Sequence, residues 1–314
     1  MFGFDRGKSL GAALAGVVVV VLAACGGTSE DDDAASETTE PAAPLEVDVV
    51  TETFVDTSRP TAAGSETPAH PDRTIVTRIA HPTSGGPYPL IVLSHGATGH
   101  PDEYADTVPR WAADGFVVAS PAFPLTNREV PGALANVGDV ANQPADVSFV
   151  VDEVLAANDD PASPLHGVVD PGAIGVVGHS LGGATTWAVS FDSARRDERI
   201  DSTVIFAGLT MPMPGGELEL DSGLPLLVMH GDEDDVALDW DLDAYEQAVS
   251  PKWFVTLLGA THVPAFTDAD SPHDELVTRT VLDFWHGTLD GDAAALERVT
   301  ADATDPALSR VRQE

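Results

Sequence analysis

Residues 178–183 have the sequence Gly-His-Ser-Leu-Gly-Gly, in which one serine has a glycine two positions away on either side. An apolar run at residues 174–177 precedes them, and a helix-compatible stretch begins at Ala184. This context predicts a sharp turn from a strand into a helix that exposes the serine. A side chain at either glycine would collide with the neighbouring strand or helix as the turn tightens. The spacing therefore predicts that Ser180 is a nucleophile.

A serine hydroxyl needs a base to take its proton, and the base needs an acid that orients it and stabilises its cationic form. Two downstream segments offer these groups. Apolar residues 224–229 lead into the acidic residues 232–235, and residues 253–258 lead into a loop that contains His262. We predict that Asp234 is the acid and His262 the base, so that the chain order is serine, acid, histidine.

Four consecutive acids occupy the place where one acid is expected. We choose Asp234 because Gly231 stands three residues before it and Val236 two residues after it. Asp232 is assigned to shaping the turn. The alternatives for the acid are Asp232, Glu233 and Asp235.

Each segment also has a simpler interpretation. A histidine at a strand end is usually a polar loop residue, and an acidic run is usually a solvated turn. Neither interpretation explains why His262 and residues 232–235 both follow apolar strands, in the required order, after the glycine-flanked serine. We therefore favour a catalytic triad.

Attack on a carbonyl places negative charge on oxygen, which two backbone N–H donors can stabilise. One donor is the residue after the nucleophile, here Leu181. The other comes from the loop after an earlier strand, and we assign it to Ala97, with Gly96 and Thr98 as alternatives. His95 is interpreted as a structural loop residue.

Apolar segments alternate with helical ones along the chain, which predicts a parallel sheet covered by helices on both faces. Strands are predicted at residues 49–55, 74–80, 90–94, 116–119, 174–177, 203–206, 226–229 and 254–258. Helices are predicted at residues 102–113, 143–157, from 184 onward, 239–249 and 273–287. The fold class is α/β, with one domain.

Two segments interrupt the alternation, at residues 121–141 and 208–223. Both leave the carboxyl edge of the predicted sheet, where ligands bind in open α/β folds. They offer apolar side chains for a pocket that suits an acyl or alkyl group, namely Phe123, Met211 and Met213. Neither segment is long enough for a large helical lid, so we expect an accessible site for small or medium esters.

With these residues, the chain resembles the α/β-hydrolase superfamily over about residues 47–288, and within it the branch of dienelactone hydrolases, platelet-activating-factor acetylhydrolases and cutinase-like polyester hydrolases. The similar segments are residues 95–99, 115–121, 178–183, 230–234 and 259–262. The resemblance implies an α/β-hydrolase fold and esterase chemistry on the three side chains already named. That chemistry needs no metal and no organic cofactor, so we expect none.

The chain departs from these relatives in two ways. Dienelactone hydrolases have a cysteine nucleophile where this chain has Ser180, which argues against their lactone opening. Polyester hydrolases tend to have an aromatic residue in the first oxyanion loop and another before the strand of the acid. This chain has Ala97 at the first place and a Met-Pro-rich segment at residues 208–223.

The N-terminal segment has the features of an export signal. Arg6 and Lys8 precede an apolar stretch at residues 10–24, which is short for a membrane span. The residues before Cys25 look like the lipobox of bacterial lipoproteins. We expect a signal peptide at residues 1–24 and a lipid on Cys25 that anchors the protein to the outer face of the membrane, which mass spectrometry of the mature N-terminus would test.

The remaining boundaries follow from composition. Residues 25–46 are rich in Ser, Thr, Ala, Pro and acids, which predicts a flexible tether. Residues 47–290 are assigned to the catalytic domain, and residues 291–314 to a C-terminal tail that frays near its end. The chain has 51 acidic residues against 15 Lys plus Arg, a formal charge of −36. Such a field repels nucleic acids, so no nucleic-acid partner is expected.

The sequence thus predicts a serine hydrolase of carboxylic esters. The alternatives with the same triad are a phospholipid acetylhydrolase, a polyester hydrolase and an amidase. A different class is also open, namely a hydrolase fold without activity that serves as a binding module. The residue pattern leaves the oligomeric state unassigned.

Overall fold

A nine-stranded β-sheet forms the centre of the computed structural model, which describes residues 43–211, 213–236 and 238–314. The predicted signal peptide, Cys25 and the tether up to residue 42 lie outside the described residues. The strands are β1 (Val47–Asp56), β2 (Arg73–Pro82), β3 (Tyr88–Ser94), β4 (Val117–Ala122), β5 (Val169–His179), β6 (Ser202–Phe206), β7 (Leu226–Gly231), β8 (Lys252–Leu257) and β9 (Ser309–Gln313).

The strand order in the sheet is β1-β2-β4-β3-β5-β6-β7-β8-β9. Six neighbouring strands pair in parallel, in the order β4, β3, β5, β6, β7 and β8. Antiparallel pairing occurs at the two ends of the sheet, between β1 and β2, β2 and β4, and β8 and β9. The carboxyl ends of the parallel strands therefore share one edge, where ligands bind in open α/β folds.

Helices connect the strands. They are α1 (Val108–Ala113), α2 (Gln143–Asp159), α3 (Leu181–Phe191), α4 (Leu238–Gln247), α5 (Pro264–Thr267), α6 (Asp274–Thr288) and α7 (Ala293–Asp302), with 3₁₀ helices at Pro101–Tyr104 and Ala133–Asn142. Among the helices of the described residues, none has the length and apolar character required to cross a membrane.

Alternate side chains of each strand enter opposite layers of the core, as the pleat requires. On β3, Ile91 packs in the layer under α1, α6 and α7, whereas Val92 packs in the layer under α2 and α3. Both faces of the sheet are thus buried by helices. The predicted fold class, an α/β-hydrolase fold with a mostly parallel and doubly covered sheet, is confirmed.

The helix predicted at residues 102–113 is divided in the structure. A 3₁₀ helix ends at Tyr104, and α1 begins at Val108 with Pro109 in its first turn. Proline has no N–H to donate and fits a helix only in that first turn, so a new helix begins there. The segment at residues 121–141, expected to be irregular, contains most of the 3₁₀ helix Ala133–Asn142.

The expectation of a fraying C-terminus is wrong. Residues 293–302 form α7, whose Ala295 and Val299 are fully buried, and β9 pairs antiparallel with β8. An unpaired β8 would leave a row of backbone donors and acceptors at the sheet edge, and β9 covers them. Residues 43–314 consequently form a single unit.

His286, on α6, forms hydrogen bonds with two carboxylates at the surface of this unit. Its Nε2 is 2.8 Å from Asp114 Oδ2, and its Nδ1 is 2.7 Å from Asp290 Oδ2. Burial opposes protonation, but the hydrogen bonds to Asp114 and Asp290 outweigh it and raise the pKa of His286 to about 9. The folded protein therefore holds a proton that the unfolded chain releases near pH 6.5.

We expect the stabilisation from His286 to be complete below about pH 6.5 and to be lost as the pH rises through about 9. Allowing for partial exposure, the loss in unfolding free energy is about 2 kcal/mol. Urea unfolding from pH 6 to 10 tests this in the wild type and in His286→Gln. Equal pH dependence in the two proteins would contradict it.

Candidate active site

Ser180 occupies the turn between β5 and α3. Its φ of 57° lies in the left-handed region, which a residue with a side chain adopts only when its surroundings impose it. The flanking glycines impose the turn sterically. A Cβ on Gly178 would overlap the Gly182 carbonyl, and one on Gly182 would overlap the Ser94 carbonyl. The serine side chain consequently stands at the N-terminus of α3.

The structure brings the three predicted triad residues together. Ser180 Oγ is 2.7 Å from His262 Nε2, and His262 Nδ1 is 2.7 Å from Asp234 Oδ2. Asp234 follows β7 and His262 follows β8, so adjacent parallel strands deliver both residues to the same sheet edge. The Asp234 side chain is fully buried, whereas 23% of the His262 side chain is exposed. A substrate can therefore reach the histidine while the carboxylate stays shielded from water.

Of the four consecutive acids, Asp234 contacts His262. Asp232 instead accepts a hydrogen bond from the Gly259 amide, at 2.6 Å, and so links the two loops. Glu233 and Asp235 are exposed to solvent.

Ala97 and Leu181 offer the two backbone donors near the serine. Within the described part of the chain, neither amide donates to a protein acceptor. The loop of Ala97 lies against the elbow, since a Cβ on Gly96 would be 3.2 Å from the Ser180 Cβ. The positive φ of Thr98 bends this loop, and its amide donates to Thr126 O at 2.8 Å. Both free amides are thus available to a developing oxyanion.

An apolar cluster lies beside these donors. Met213 is nearly buried and packs with Leu181 and Ala184 of α3, while Met211 and Ala97 pack on the same cluster. The structure therefore places the two predicted pocket methionines next to both candidate oxyanion donors. A surface groove of about 930 Å³ also begins at the neighbouring Thr98.

Phe123, the third predicted pocket residue, is not on the pocket wall. Its side chain has no exposed surface and packs behind the oxyanion loop, with its ring centroid 5.1 Å from that of His95. Burial lowers the pKa of His95 to about 4, so the ring is neutral at neutral pH. Its Nδ1–H donates to Gly96 O at 2.7 Å, and its Nε2 accepts from the Phe123 amide at 3.2 Å. Phe123 and His95 therefore support the loop.

His179 supports the catalytic loop from the other side, and sequence reasoning missed it. Its Nε2–H donates to the His262 carbonyl at 2.7 Å, and its Nδ1 accepts from the Tyr104 hydroxyl at 3.2 Å. Burial lowers the pKa of His179 to about 4, which keeps the ring in this neutral form. Its position between Gly178 and Ser180 is the one sequence signal that could have identified it.

In the described ranges, no group of three His, Cys, Asp or Glu side chains is arranged to hold a metal ion. No curated protein matches the chain. A model of the dienelactone hydrolase family matches residues 75–285, a range that includes the elbow, the acid and the histidine. The chain therefore belongs to the dienelactone hydrolase family and is a hydrolase of the α/β-hydrolase type.

Proposed function

We propose that this protein hydrolyses carboxylic esters through an acyl-enzyme intermediate on Ser180. The observation that carries the proposal is the continuous hydrogen-bonded chain from Ser180 through His262 to Asp234, with 2.7 Å at both steps. These distances permit proton transfer from alcohol to imidazole, and the buried carboxylate holds the ring in the required tautomer.

The reaction follows from these positions. His262 Nε2 takes the Ser180 proton as Oγ attacks the ester carbonyl, and the Ala97 and Leu181 amides stabilise the oxyanion. His262 then protonates the leaving alcohol, which leaves the acyl group on Ser180. Water, deprotonated by His262, attacks this ester and releases the acid. Asp234 keeps its negative charge throughout and stabilises the imidazolium.

The side chains around the serine favour an apolar acyl or alkyl group. Met211 and Met213 supply adaptable apolar surface beside the candidate oxyanion donors. We propose small or medium esters as substrates. We also propose that a lipid on Cys25 attaches the protein to the outer face of the cell membrane.

Ser180 distinguishes this chain from family members with a cysteine nucleophile. A thiolate is already a strong nucleophile, whereas a serine hydroxyl depends on its base. The 2.7 Å contact with His262 supplies that base in the resting geometry. This dependence supports general ester hydrolysis by the full triad.

A fluorophosphonate probe tests the proposal directly. We expect covalent labelling of the wild type at Ser180, located by peptide mass spectrometry, and no labelling of Ser180→Ala. If the folded protein did not react with the probe, the result would favour a binding module over an enzyme. Amide and phospholipid substrates, compared with simple esters at equal concentration, separate the remaining alternatives.

A further inference from the structure

A buried histidine lies behind the candidate acid and takes no part in the reaction described above. His230, in β7, has no exposed surface. Its ring lies between two carboxylates, with Nδ1 2.9 Å from Asp241 Oδ2 and Nε2 3.1 Å from Asp234 Oδ2. The side chains of both aspartates are also fully buried. Three ionisable groups thus share one site without solvent contact.

The second carboxylate connects this site to the elbow helix. Asp241 lies on α4, and its Oδ1 accepts a hydrogen bond from Trp187 Nε1 at 3.1 Å. Trp187 is a buried residue of α3, the helix that begins directly after Ser180. A buried path therefore runs from the elbow helix through Trp187, Asp241 and His230 to Asp234.

The orientation of the Asp234 carboxylate depends on few contacts. Oδ1 accepts from the Val236 amide at 2.8 Å, and Oδ2 accepts from His262 Nδ1. The same Oδ2 faces His230 Nε2, which has no aligned hydrogen-bond partner. The two atoms are 3.1 Å apart, within the range of an ion pair.

The number of protons on the His230 ring determines how many hydrogen bonds the ring can donate. A neutral imidazole has a single N–H, so one of its nitrogens would present a lone pair to a carboxylate oxygen about 3 Å away. A ring with protons on both nitrogens donates to both carboxylates. Two other titratable groups are near the ring, His262 from the loop after β8 and His179 from β5.

We infer that His230 is a positioning residue that bridges Asp241 to Asp234 and holds the Asp234 carboxylate in the orientation that His262 requires. The inference rests on the proposed triad mechanism. Because His230 lies behind Asp234, its loss affects kcat more than KM.

The test compares variants of His230 in the full protein. In His230→Leu, which has no N–H, we expect kcat to fall about 10²-fold, as for other small misplacements of catalytic groups. KM should change by less than about twofold, since uniform substrate binding is preserved. His230→Gln retains one donor and should lose less activity.

His81→Gln is the matched control, since His81 is also a buried histidine of the sheet but lies on β2. We expect it to keep the wild-type kcat and KM. Equal losses in His81→Gln and His230→Gln would overturn the inference, because they would reflect general destabilisation. An unchanged kcat in folded His230→Leu would overturn it as well.

A measurement on the wild type does not depend on activity or on the folding of a variant. In ¹⁵N-histidine-labelled wild type, we expect Nε2 of His230, which lies 3.1 Å from Asp234 Oδ2, to carry the proton that it donates to this carboxylate. An Nε2 without a proton would contradict the bridge. Absence of probe labelling at Ser180 would instead refute the proposed function, so the two failures are distinguishable.

Discussion

Alanine in place of Ser180 is expected to lower kcat for ester hydrolysis by about 10⁵- to 10⁶-fold, because the atom that forms the acyl-enzyme is lost. Alanine in place of His262 should cost a similar factor, since the serine hydroxyl then lacks its base. The double variant should be no slower than either single variant, because both changes disable one unit. Steady-state kinetics with an activated phenyl ester measure all three.

Residual catalysis of about 10³-fold over water is expected in these variants, because the Ala97 and Leu181 amides remain. The matched control is Ser120→Ala, which removes the hydroxyl of a buried serine on β4 outside the site. Its kcat should equal that of the wild type. If the losses at Ser180 and His262 multiplied in the double variant, the two residues would act independently and the triad mechanism would be wrong.

The largest expected effect on stability comes from Arg73, at the start of β2. Its guanidinium is buried and contacts Asp146 Oδ1 at 2.8 Å and Asp139 Oδ2 at 2.9 Å. Burial raises the pKa of Asp146, and the hydrogen bonds from Arg73 oppose this rise. We expect Arg73→Met to cost about 3–5 kcal/mol of unfolding free energy, because buried Asp139 loses its cationic partner and Asp146 keeps only Arg59, at 2.9 Å. Urea unfolding at pH 7 measures it.

Two further variants test the cause of this loss in unfolding free energy. Asn in place of Asp139 in the Arg73→Met background should recover part of the stability, since the buried charge without a cationic partner is then gone. Arg196→Met breaks an exposed pair with Glu219, 2.8 Å apart, and should cost less than about 1 kcal/mol. A cost for Arg73→Met as small as that for Arg196→Met would show that the buried cluster contributes little.

Much of the fold could be predicted from the local pattern of apolar and polar residues. Apolar runs of four or five residues marked every parallel strand, because a strand buried on both faces is apolar throughout. The strand β9 escaped prediction because its sequence, Ser-Arg-Val-Arg-Gln, is polar and forms an edge. Such a strand is stabilised by pairing with β8, a contact between residues more than fifty positions apart.

The candidate site was predictable where a residue is defined by its immediate neighbours. Ser180 lies between glycines whose missing side chains allow the turn. Phe123 was misassigned because an aromatic residue after a strand suits a pocket wall and a core equally well. The sequence shows His230 only as part of the segment 230–234. Its contact with Asp241 could not be predicted, because Asp241 is eleven residues away on another element.

By itself, the sequence determined the elbow, the order of the strands that carry the acid and the base, and the apolar character of the core, because these depend on steric and hydrophobic patterns within a few residues. The tertiary structure decided which of four adjacent acids reaches His262, which loop residues face the serine, and which buried histidines lie behind the triad. These outcomes depend on contacts between residues 28 to 83 positions apart, and such contacts form only when separate strands meet at one edge of the sheet.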